Sequence, residues 1–278
     1  MQVLGIAGPS DAGKTTLVER LTARLSERGA VATVKHLRTE PTVDTDGKDT
    51  ARHREAGAAV TYGITDDEEW FATGRKRGLR ETLDDLARDY DYGLVEGYSA
   101  APIPTVALAG RDHDGQTVAT APEADALDVD ALVDAIDQLE PYESLGSLVA
   151  AVKRSPKAAY AGAIATFTGR VRRLEDSNDD PTEYLEFEKY EGVADERLAT
   201  IREELEARNG VQAVRLHHRT GVVESGDDIV FVVVLAGHRE EAFETVEDGI
   251  NRLKDEVPLF KKEVTVEETF WSHERPER

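Results

Sequence analysis

The sequence contains no cysteine, and its 278 residues include only one methionine and ten lysines. Without cysteine the chain can form no disulfide, no thiolate metal site and no cysteine nucleophile. Any sulfur that takes part in its chemistry must therefore come from another molecule. Long apolar runs are also missing: no stretch approaches the length of a membrane span, and no apolar signal segment follows Met1. We expect a soluble, cytoplasmic protein that does not enter a membrane.

Positive charge is scarce. Lysine and arginine number 34 against 56 aspartates and glutamates, which gives a formal net charge of −22. Such a charge disfavours binding to nucleic acid or to an anionic membrane. The acidic residues are spread along the chain and arginine outnumbers lysine, which is typical of cytosolic proteins from halophiles; an ordinary acidic mesophile protein is the alternative. A cluster of basic residues on such a chain is more informative than usual.

Residues 1–112 predict an α/β domain with a mostly parallel sheet. The apolar run MQVLGIAG predicts a buried strand, and the next segment has Leu17, Leu21 and Leu25 at helical spacing. A second strand, VATVKH, completes a βαβ unit, which implies a parallel sheet. Residues 113–140 are acidic and rich in alanine, and we interpret them as the end of this domain plus a linker.

The segment between the first strand and the first helix matches the phosphate-binding pattern G-x-x-x-x-G-K-[ST] at every fixed position. The backbone N–H groups of such a loop and the helix N-terminus bind phosphate. Lys14 is predicted to reach the β- and γ-phosphates, and Thr15 to hold Mg²⁺ together with Glu96 at the end of the strand GLVEG. The predicted nucleotide-binding residues are Gly8, Asp11, Ala12, Gly13, Lys14, Thr15 and Thr16.

Two features of this site stay open. Asp44, Asp46 and Asp49 are either further acids near the Mg²⁺ or parts of a solvated loop in an acidic protein. The guanine-reading signature N/T-K-x-D is absent, so the motifs do not decide between GTP and ATP.

The first half resembles a known family. GPSDAGKTT, VKH, VDTDGKDTARHREAGA and YGLVEGYS stand in the order seen in MobB-like proteins, which are GTP-binding adapters of molybdopterin-guanine dinucleotide biosynthesis. The resemblance covers about residues 2–112 and implies GTP binding, weak hydrolysis and a supporting role in cofactor maturation. Another P-loop enzyme, such as a small-molecule kinase or a metallochaperone GTPase, is the alternative for this half.

Residues 141–278 predict a second domain, of the α+β class. Strands are predicted in AGAIATFTGRVR, TEYLEFEKYEG, VQAVRLHHRTG, DDIVFVVVLAG and FKKEVTVEETF. Helices are predicted in YESLGSLVAAVK, VADERLATIREELEARNG and REEAFETVEDGINRLKDEV.

Three of the ten lysines fall within the stretch LKDEVPLFKKE. Lys254 lies on the last turn of a helix that Pro258 ends, and Lys261 and Lys262 point to opposite sides of the strand that follows. Lys254 and Lys261 can therefore come together, and two close ammonium groups lower each other's pKa, which suits a base or an anion site. The alternative is solvated lysines that complement a helix dipole. The predicted buried face of this helix consists of Phe243, Val246, Ile250, Leu253 and Val257.

Other basic residues of this half also lie at element ends, where binding sites form. Arg170, Arg172 and Arg173 follow one strand, and His238 and Arg239 leave another just before the lysine-bearing helix. Together with the lysines they predict an anion pocket. We interpret His217 and His218 as structural, because consecutive strand residues face opposite ways and do not easily ligate one metal.

The second half resembles the catalytic large subunit of molybdopterin synthase, MoaE. The resemblance rests on GAIATFTGRVR, LEFEKYEG, HHRTGVVESGDDIVFV, AGHREEAFE and LKDEVPLFKKE, over about residues 142–273. It implies the hammerhead α+β fold and conversion of cyclic pyranopterin monophosphate to molybdopterin. The sulfur comes from a thiocarboxylated, ubiquitin-like small subunit whose Gly-Gly tail enters the site, which fits the absence of cysteine here.

This resemblance also implies roles for individual residues. The family's catalytic lysines fall on Lys254 and Lys261, while Phe260 stands where the family often has tryptophan. The substrate-binding positions fall on Arg170, Val171, Arg172, His238, Arg239, Lys262 and Glu263. The resemblance further implies a homodimer formed through this domain, with one small subunit at each end. No cofactor is implied for sulfur transfer.

We interpret the chain as a fusion of these two domains, acting in molybdenum cofactor biosynthesis. The alternative is a P-loop GTPase regulator whose second half is a non-catalytic module that binds a ubiquitin-like partner. In that case Lys254 and Lys261 would tolerate replacement by alanine.

Overall fold

The computed structural model describes residues 1–39, 47–174, 180–190, 192–265 and 269–271. They form two compact units that divide between Tyr142 and Glu143. Within the described part of the chain, no helix is both long enough and apolar enough to cross a membrane.

The first unit is built on a parallel sheet of five strands in the order β2-β5-β1-β6-β7, with a separate antiparallel hairpin formed by β3 and β4. Its strands are β1 (Gln2–Ala7), β2 (Val31–Lys35), β3 (Val60–Ile64), β4 (Trp70–Gly74), β5 (Tyr92–Glu96), β6 (Thr105–Leu108) and β7 (Thr117–Ala121). Its helices are α1 (Lys14–Leu25), α2 (Asp49–Glu55), α3 (Leu79–Leu86) and α4 (Val129–Asp137). The predicted α/β class and parallel sheet are confirmed.

The larger of two apolar clusters in this unit lies between the sheet and α1. Leu17, Leu21 and Leu25 are fully buried, as their helical spacing predicts, and they join Leu4 and Ile6 of β1 in one apolar cluster. This packing fixes α1 behind the carboxyl end of β1. The phosphate-binding loop spans the turn between these two elements.

The acidic segment 113–140 belongs to the first unit along most of its length. Strand β7 extends the parallel sheet next to β6, and α4 buries Leu132, Val133 and Ile136 in the same cluster as α1. The side chain of Asp128 caps α4 by accepting hydrogen bonds from the next turn. Most of this segment therefore packs with the first unit, and the division between the two units follows it, after Tyr142.

The second unit contains a three-stranded sheet, β10-β12-β8, and a four-stranded sheet, β11-β9-β13-β14, both antiparallel. Its strands are β8 (Ala163–Arg170), β9 (Thr182–Lys189), β10 (Val211–His218), β11 (Gly221–Glu224), β12 (Asp228–Ala236), β13 (Leu259–Thr265) and β14 (Thr269–Trp271). Its helices are α5 (Leu145–Lys153), α6 (Val193–Glu206) and α7 (Arg239–Glu256). This confirms the predicted α+β class.

Strand β12 is buried on both of its faces. Val230, Val232 and Val234 pack with α6 and α7, whereas Phe231 and Val233 alternate to the other face and pack with α5. This two-sided burial explains why the strand reads as a continuous apolar run. It also fixes α7 across the sheet, and α7 carries Lys254 at its last turn.

The helical spacing predicts Phe243 on the buried face of α7, and this prediction is wrong. Phe243 is 65% exposed, while Val246, Ile250, Leu253 and Val257 are buried as predicted. The buried face includes Ala242, Thr245 and Gly249 instead. At Gly249 a Cβ atom would lie 3.0 Å from Val232, so the helix approaches the sheet through small residues and turns its phenylalanine outward.

Candidate active site and nucleotide site

A cavity of about 490 Å³ in the second unit is lined by four of the eight basic residues that the sequence analysis singles out in this half. Lys254, on the last turn of α7, and Lys261, on β13, both line it. Arg170 and Arg172 line it from the end of β8 and the segment that follows. A cavity of this volume is in the range that binds small molecules, and four basic side chains favour an anionic one.

Alternation along β13 decides which of its side chains reach the cavity. Leu259, Lys261 and Glu263 line it, at every second position. Lys262 points to the other side, where its ammonium lies 2.8 Å from Glu186 of β9. Its hydrogen bond to the Glu186 carboxylate and the charge of that group raise the pKa of Lys262. Lys262 is therefore held in an ion pair away from the cavity.

Lys261 has an acidic neighbour inside the cavity. Its ammonium lies 3.4 Å from Oε2 of Glu263, and Oε1 of Glu263 accepts a 2.7 Å hydrogen bond from Thr182. Glu263 and Thr182 are both buried. The cavity thus holds the charge of Lys261 beside a fixed carboxylate, in addition to the second lysine that the sequence predicted.

Besides Lys262, three more of the predicted substrate-binding residues lie elsewhere. Among the described residues, the cavity lining does not include Val171, His238 or Arg239. Val171 is buried in a small cluster with Leu185 and Phe187. Its backbone carbonyl accepts a 2.9 Å hydrogen bond from Gly226, so it fixes the backbone between the two arginines.

His238 and Arg239 lie at the opposite end of α7 from Lys254. His238 is the N-cap and Arg239 the first residue of the helix, and both are exposed. Fifteen residues of helix separate Arg239 from Lys254, a rise of about 22 Å. Within one chain, His238 and Arg239 therefore do not reach the cavity that contains Lys254 and Lys261.

His218 also lines the cavity, although its position in the sequence predicts a structural role. Its Nδ1 lies 2.7 Å from the carbonyl oxygen of Arg219, and its ring meets Phe187 edge-on at 4.7 Å. Because a carbonyl only accepts, Nδ1 carries the proton. Burial lowers the pKa of His218 to about 4, so the ring is neutral at neutral pH. Its neighbour His217 faces the other way and stacks on Phe231.

The first unit carries the predicted phosphate loop before α1. Asp11 and Gly13 have positive φ values of 66° and 83°, which turn the backbone into the first turn of the helix. A Cβ atom at Gly13 would lie 2.8 Å from that of Ala124, so only glycine fits this position. Lys14 folds back over the loop and donates a 2.5 Å hydrogen bond to the carbonyl of Pro9. The remaining loop residues are placed around this turn: Gly8 follows β1, Ala12 is buried, and Thr16 is exposed on α1.

Thr15 and Glu96, the residues predicted to hold Mg²⁺, lie together. The hydroxyl of Thr15 is 3.1 Å from both carboxylate oxygens of Glu96, at the carboxyl edge of the parallel sheet. A hydroxyl and a carboxylate are the oxygen donors that Mg²⁺ prefers. Of the other candidate acids, Asp44 and Asp46 lie outside the described residues, and Asp49 begins α2 and pairs with Arg52.

Comparison with known proteins finds one family model for each half of the chain. The family model of MoaE proteins matches residues 140–256, and that of molybdopterin guanine dinucleotide synthesis protein B matches residues 3–134. A "Probable molybdopterin synthase" from Haloferax volcanii is 55% identical over 275 residues, which is 99% of this chain and 100% of that protein. The chain belongs to the molybdopterin synthase family.

Two further relatives resemble the second unit. The molybdopterin synthase catalytic subunit of Bacillus subtilis is 39% identical over 111 residues, 40% of this chain and 69% of that protein. The crystal structure of molybdopterin synthase from Staphylococcus aureus shows 31% identity over 48% of this chain and 92% of that chain, with a TM-score of 0.41.

The nucleotide site lies in the range matched by one family model, and most of the cavity site lies in the range matched by the other. The match to synthesis protein B contains the phosphate loop and Glu96, and it ends within α4. The MoaE match contains the two cavity arginines and Lys254 but ends before Lys261. The relative from Haloferax volcanii extends the similarity over nearly the whole chain. This synthase homologue therefore combines a MobB-like and a MoaE domain in one polypeptide.

Proposed function

We propose that the second unit transfers sulfur from a thiocarboxylated, ubiquitin-like small subunit to cyclic pyranopterin monophosphate, which yields molybdopterin. The observation that carries this proposal is that Lys254, Lys261, Arg170 and Arg172 line one cavity on a strongly acidic chain. The absence of cysteine supports it, because the chain has no sulfur nucleophile of its own.

Each group of residues has a distinct part in this proposal. Arg172 binds the substrate phosphate, because a guanidinium makes paired hydrogen bonds to phosphate oxygens. Arg170 is itself anchored by Asp228 at 3.3 Å and by the carbonyl of Gly226, so it holds the cavity edge. Once the thiocarboxylate sulfur is bonded to the pterin side chain, water attacks the acyl carbon, the C–S bond breaks, and the small subunit leaves with a C-terminal carboxylate. Lys254 and Lys261 assist this attack and move protons at the pterin side chain.

The protein acts as a homodimer through the second unit. His238 and Arg239 are the substrate-binding positions that one chain keeps about 22 Å along α7 from Lys254. A symmetric dimer repeats the same contact twice, so each cavity can receive this pair from the other subunit. The exposed position of Phe243, one turn further along α7 on the outside of the unit, is consistent with a covered apolar face there.

The first unit binds GTP with Mg²⁺. The phosphate loop, the start of α1 and Lys14 bind the phosphates. Thr15 and Glu96 hold the Mg²⁺, and the ammonium of Lys35, which lies against oxygen atoms of both, supports a cation position there. When bound, Mg²⁺ supplies positive charge that neutralises the phosphate oxygens.

Single-turnover sulfur transfer tests the proposal for the second unit. The full chain is mixed with cyclic pyranopterin monophosphate and the thiocarboxylated small subunit in concentrated KCl, and dithiolene product is measured. A chain that binds the small subunit but makes no product would be a binding module, and the synthase proposal would fail. Equilibrium binding of GTP and ATP, each with and without Mg²⁺, tests the first unit.

A further inference from the structure

Lys35 lies at the nucleotide site without belonging to the phosphate-loop motif. Its ammonium is 3.2 Å from the hydroxyl of Thr15 and 3.0 Å from Oε1 of Glu96. These are the two residues to which the site assigns the Mg²⁺. The ammonium therefore occupies the position of a cation between the same oxygen atoms.

The sheet dictates this arrangement. Lys35 is the last residue of β2 and Glu96 the last residue of β5, and the two strands are parallel with Lys35 directly opposite Glu96. Parallel strands bring their carboxyl ends to one edge, where the phosphate loop also ends. Both side chains therefore leave the sheet toward the loop and Thr15.

The side chains of Lys35 and Glu96 differ in how far they are exposed to solvent. The side chain of Glu96 is only 11% exposed, so its carboxylate has little water to stabilise it, whereas the side chain of Lys35 is 52% exposed. A lysine has a flexible four-carbon stem and can leave while its partner stays fixed. A divalent cation that binds Thr15 and Glu96 competes with this ammonium, because two positive charges held this close together repel each other.

We propose that Lys35 is an internal counter-ion of the nucleotide site, which competes with the divalent cation for Thr15 and Glu96 and permits nucleotide to bind before the metal. This rests on the proposed nucleotide-binding function of the first unit. Without metal, the ammonium neutralises Glu96, so the carboxylate does not repel the phosphates. With metal, Lys35 is displaced and the cation takes over that charge.

Replacing Lys35 is expected to change GTP affinity differently in the absence and in the presence of Mg²⁺. In Lys35→Met, the isolated carboxylate of Glu96 repels the phosphates, so GTP affinity in EDTA falls by about tenfold or more. At saturating Mg²⁺ the affinity stays within about threefold of the original chain, because the metal neutralises Glu96. The Mg²⁺ concentration needed for half of its effect falls several-fold, because the competing ammonium is gone.

The experiment is a titration of the full chain with a fluorescent GTP analogue, in EDTA and over a series of Mg²⁺ concentrations at constant KCl. Lys35→Met/Glu96→Gln is expected to regain affinity in EDTA, because the repelling charge is removed. Lys35→Arg keeps the charge and is expected to retain affinity in EDTA, and it serves if Lys35→Met does not fold. Lys76→Met, at an exposed lysine of the same unit, is the control for the loss of one positive charge.

Three results would overturn the proposal. Equal loss of affinity in EDTA and in Mg²⁺ would make Lys35 a simple phosphate contact. No change in either condition, or the same change in Lys76→Met, would give Lys35 no part in the site. Absence of nucleotide binding by the unmodified chain would refute the nucleotide site itself, which is a separate outcome from either of these.

Discussion

Thr182 donates a 2.7 Å hydrogen bond to Oε1 of Glu263, whose other carboxylate oxygen lies 3.4 Å from the ammonium of Lys261. Thr182 lies on β9 and the other two on β13, and the register of these strands shifts between Val264 and Thr265. The buried hydroxyl fixes a buried carboxylate, and the carboxylate in turn orients the lysine. Thr182 is thus a positioning residue for Lys261.

Replacing Thr182 by valine keeps the shape of the side chain but removes the hydrogen bond. A hydrogen bond to a charged group contributes about 1.5–3 kcal/mol, so we expect the rate of sulfur transfer in a single turnover to fall by about tenfold or more. Thr182→Ser keeps the hydroxyl and is expected to retain most of the rate. Equal rates for the valine and serine variants, at equal thermal stability, would show that the hydrogen bond does not position Lys261.

Shared sites in a dimer predict complementation between two inactive chains. If Lys261 and Arg239 of different subunits form each site, a heterodimer of Lys261→Ala and Arg239→Ala contains one intact site. Co-expression of the two variants with different affinity tags is then expected to give about a quarter of the original activity after random assembly. Activity no higher than the mean of the two separate variants, or a monomer by light scattering at working salt, would contradict the shared site.

The two neighbouring histidines predict how the stability of the second unit depends on pH. Burial lowers the pKa of His217 and of His218 to about 4, from an ordinary value of 6.5. Between these values the unfolded chain binds protons that the folded chain does not. The free energy of unfolding therefore falls as pH falls from 7 to 5, by on the order of 2 kcal/mol for each histidine.

Denaturant unfolding at several pH values and constant KCl measures this slope. His217→Gln and His218→Gln each remove one of the two groups, and comparison with the unmodified chain cancels the contribution of all other residues. Each variant is expected to lose about half of the histidine-dependent slope. A slope that neither substitution changes would show that the rings are not held neutral by burial.

Short-range patterns in the sequence predicted much of the fold. The phosphate loop, the leucine spacing of α1 and the apolar run of β12 each depend on residues close together in the chain. The same holds for the alternation that turns Lys261 and Lys262 to opposite faces of β13. Lys254 and Lys261 were expected at one site because only a proline turn separates their elements.

The residues that were missed depend on contacts between distant parts of the chain. His218 and Thr182 reach the cavity because β9 and β10 are placed there by sheet pairing, which local alternation does not specify. Lys35 meets Glu96 through the register of β2 and β5, 61 positions apart in the sequence. Phe243 lies outside because the small residues Ala242, Thr245 and Gly249 take part in the buried face in its place. Helical spacing alone does not show which face of a helix packs against its neighbours.

The central claim is that Lys261 acts in sulfur transfer, and a single-turnover comparison tests it most directly. The full chain, Lys261→Ala and Lys157→Ala are each mixed with cyclic pyranopterin monophosphate and the thiocarboxylated small subunit in concentrated KCl. Lys157 is an exposed lysine of the same unit and serves as the matched control. Binding of the small subunit is measured in parallel.

We expect Lys261→Ala to lose product formation by about 100-fold or more, the contribution of a positioned acid or base, while it still binds the small subunit. Lys157→Ala is expected to retain the original rate. Product formed by Lys261→Ala as fast as by the unmodified chain would contradict the account.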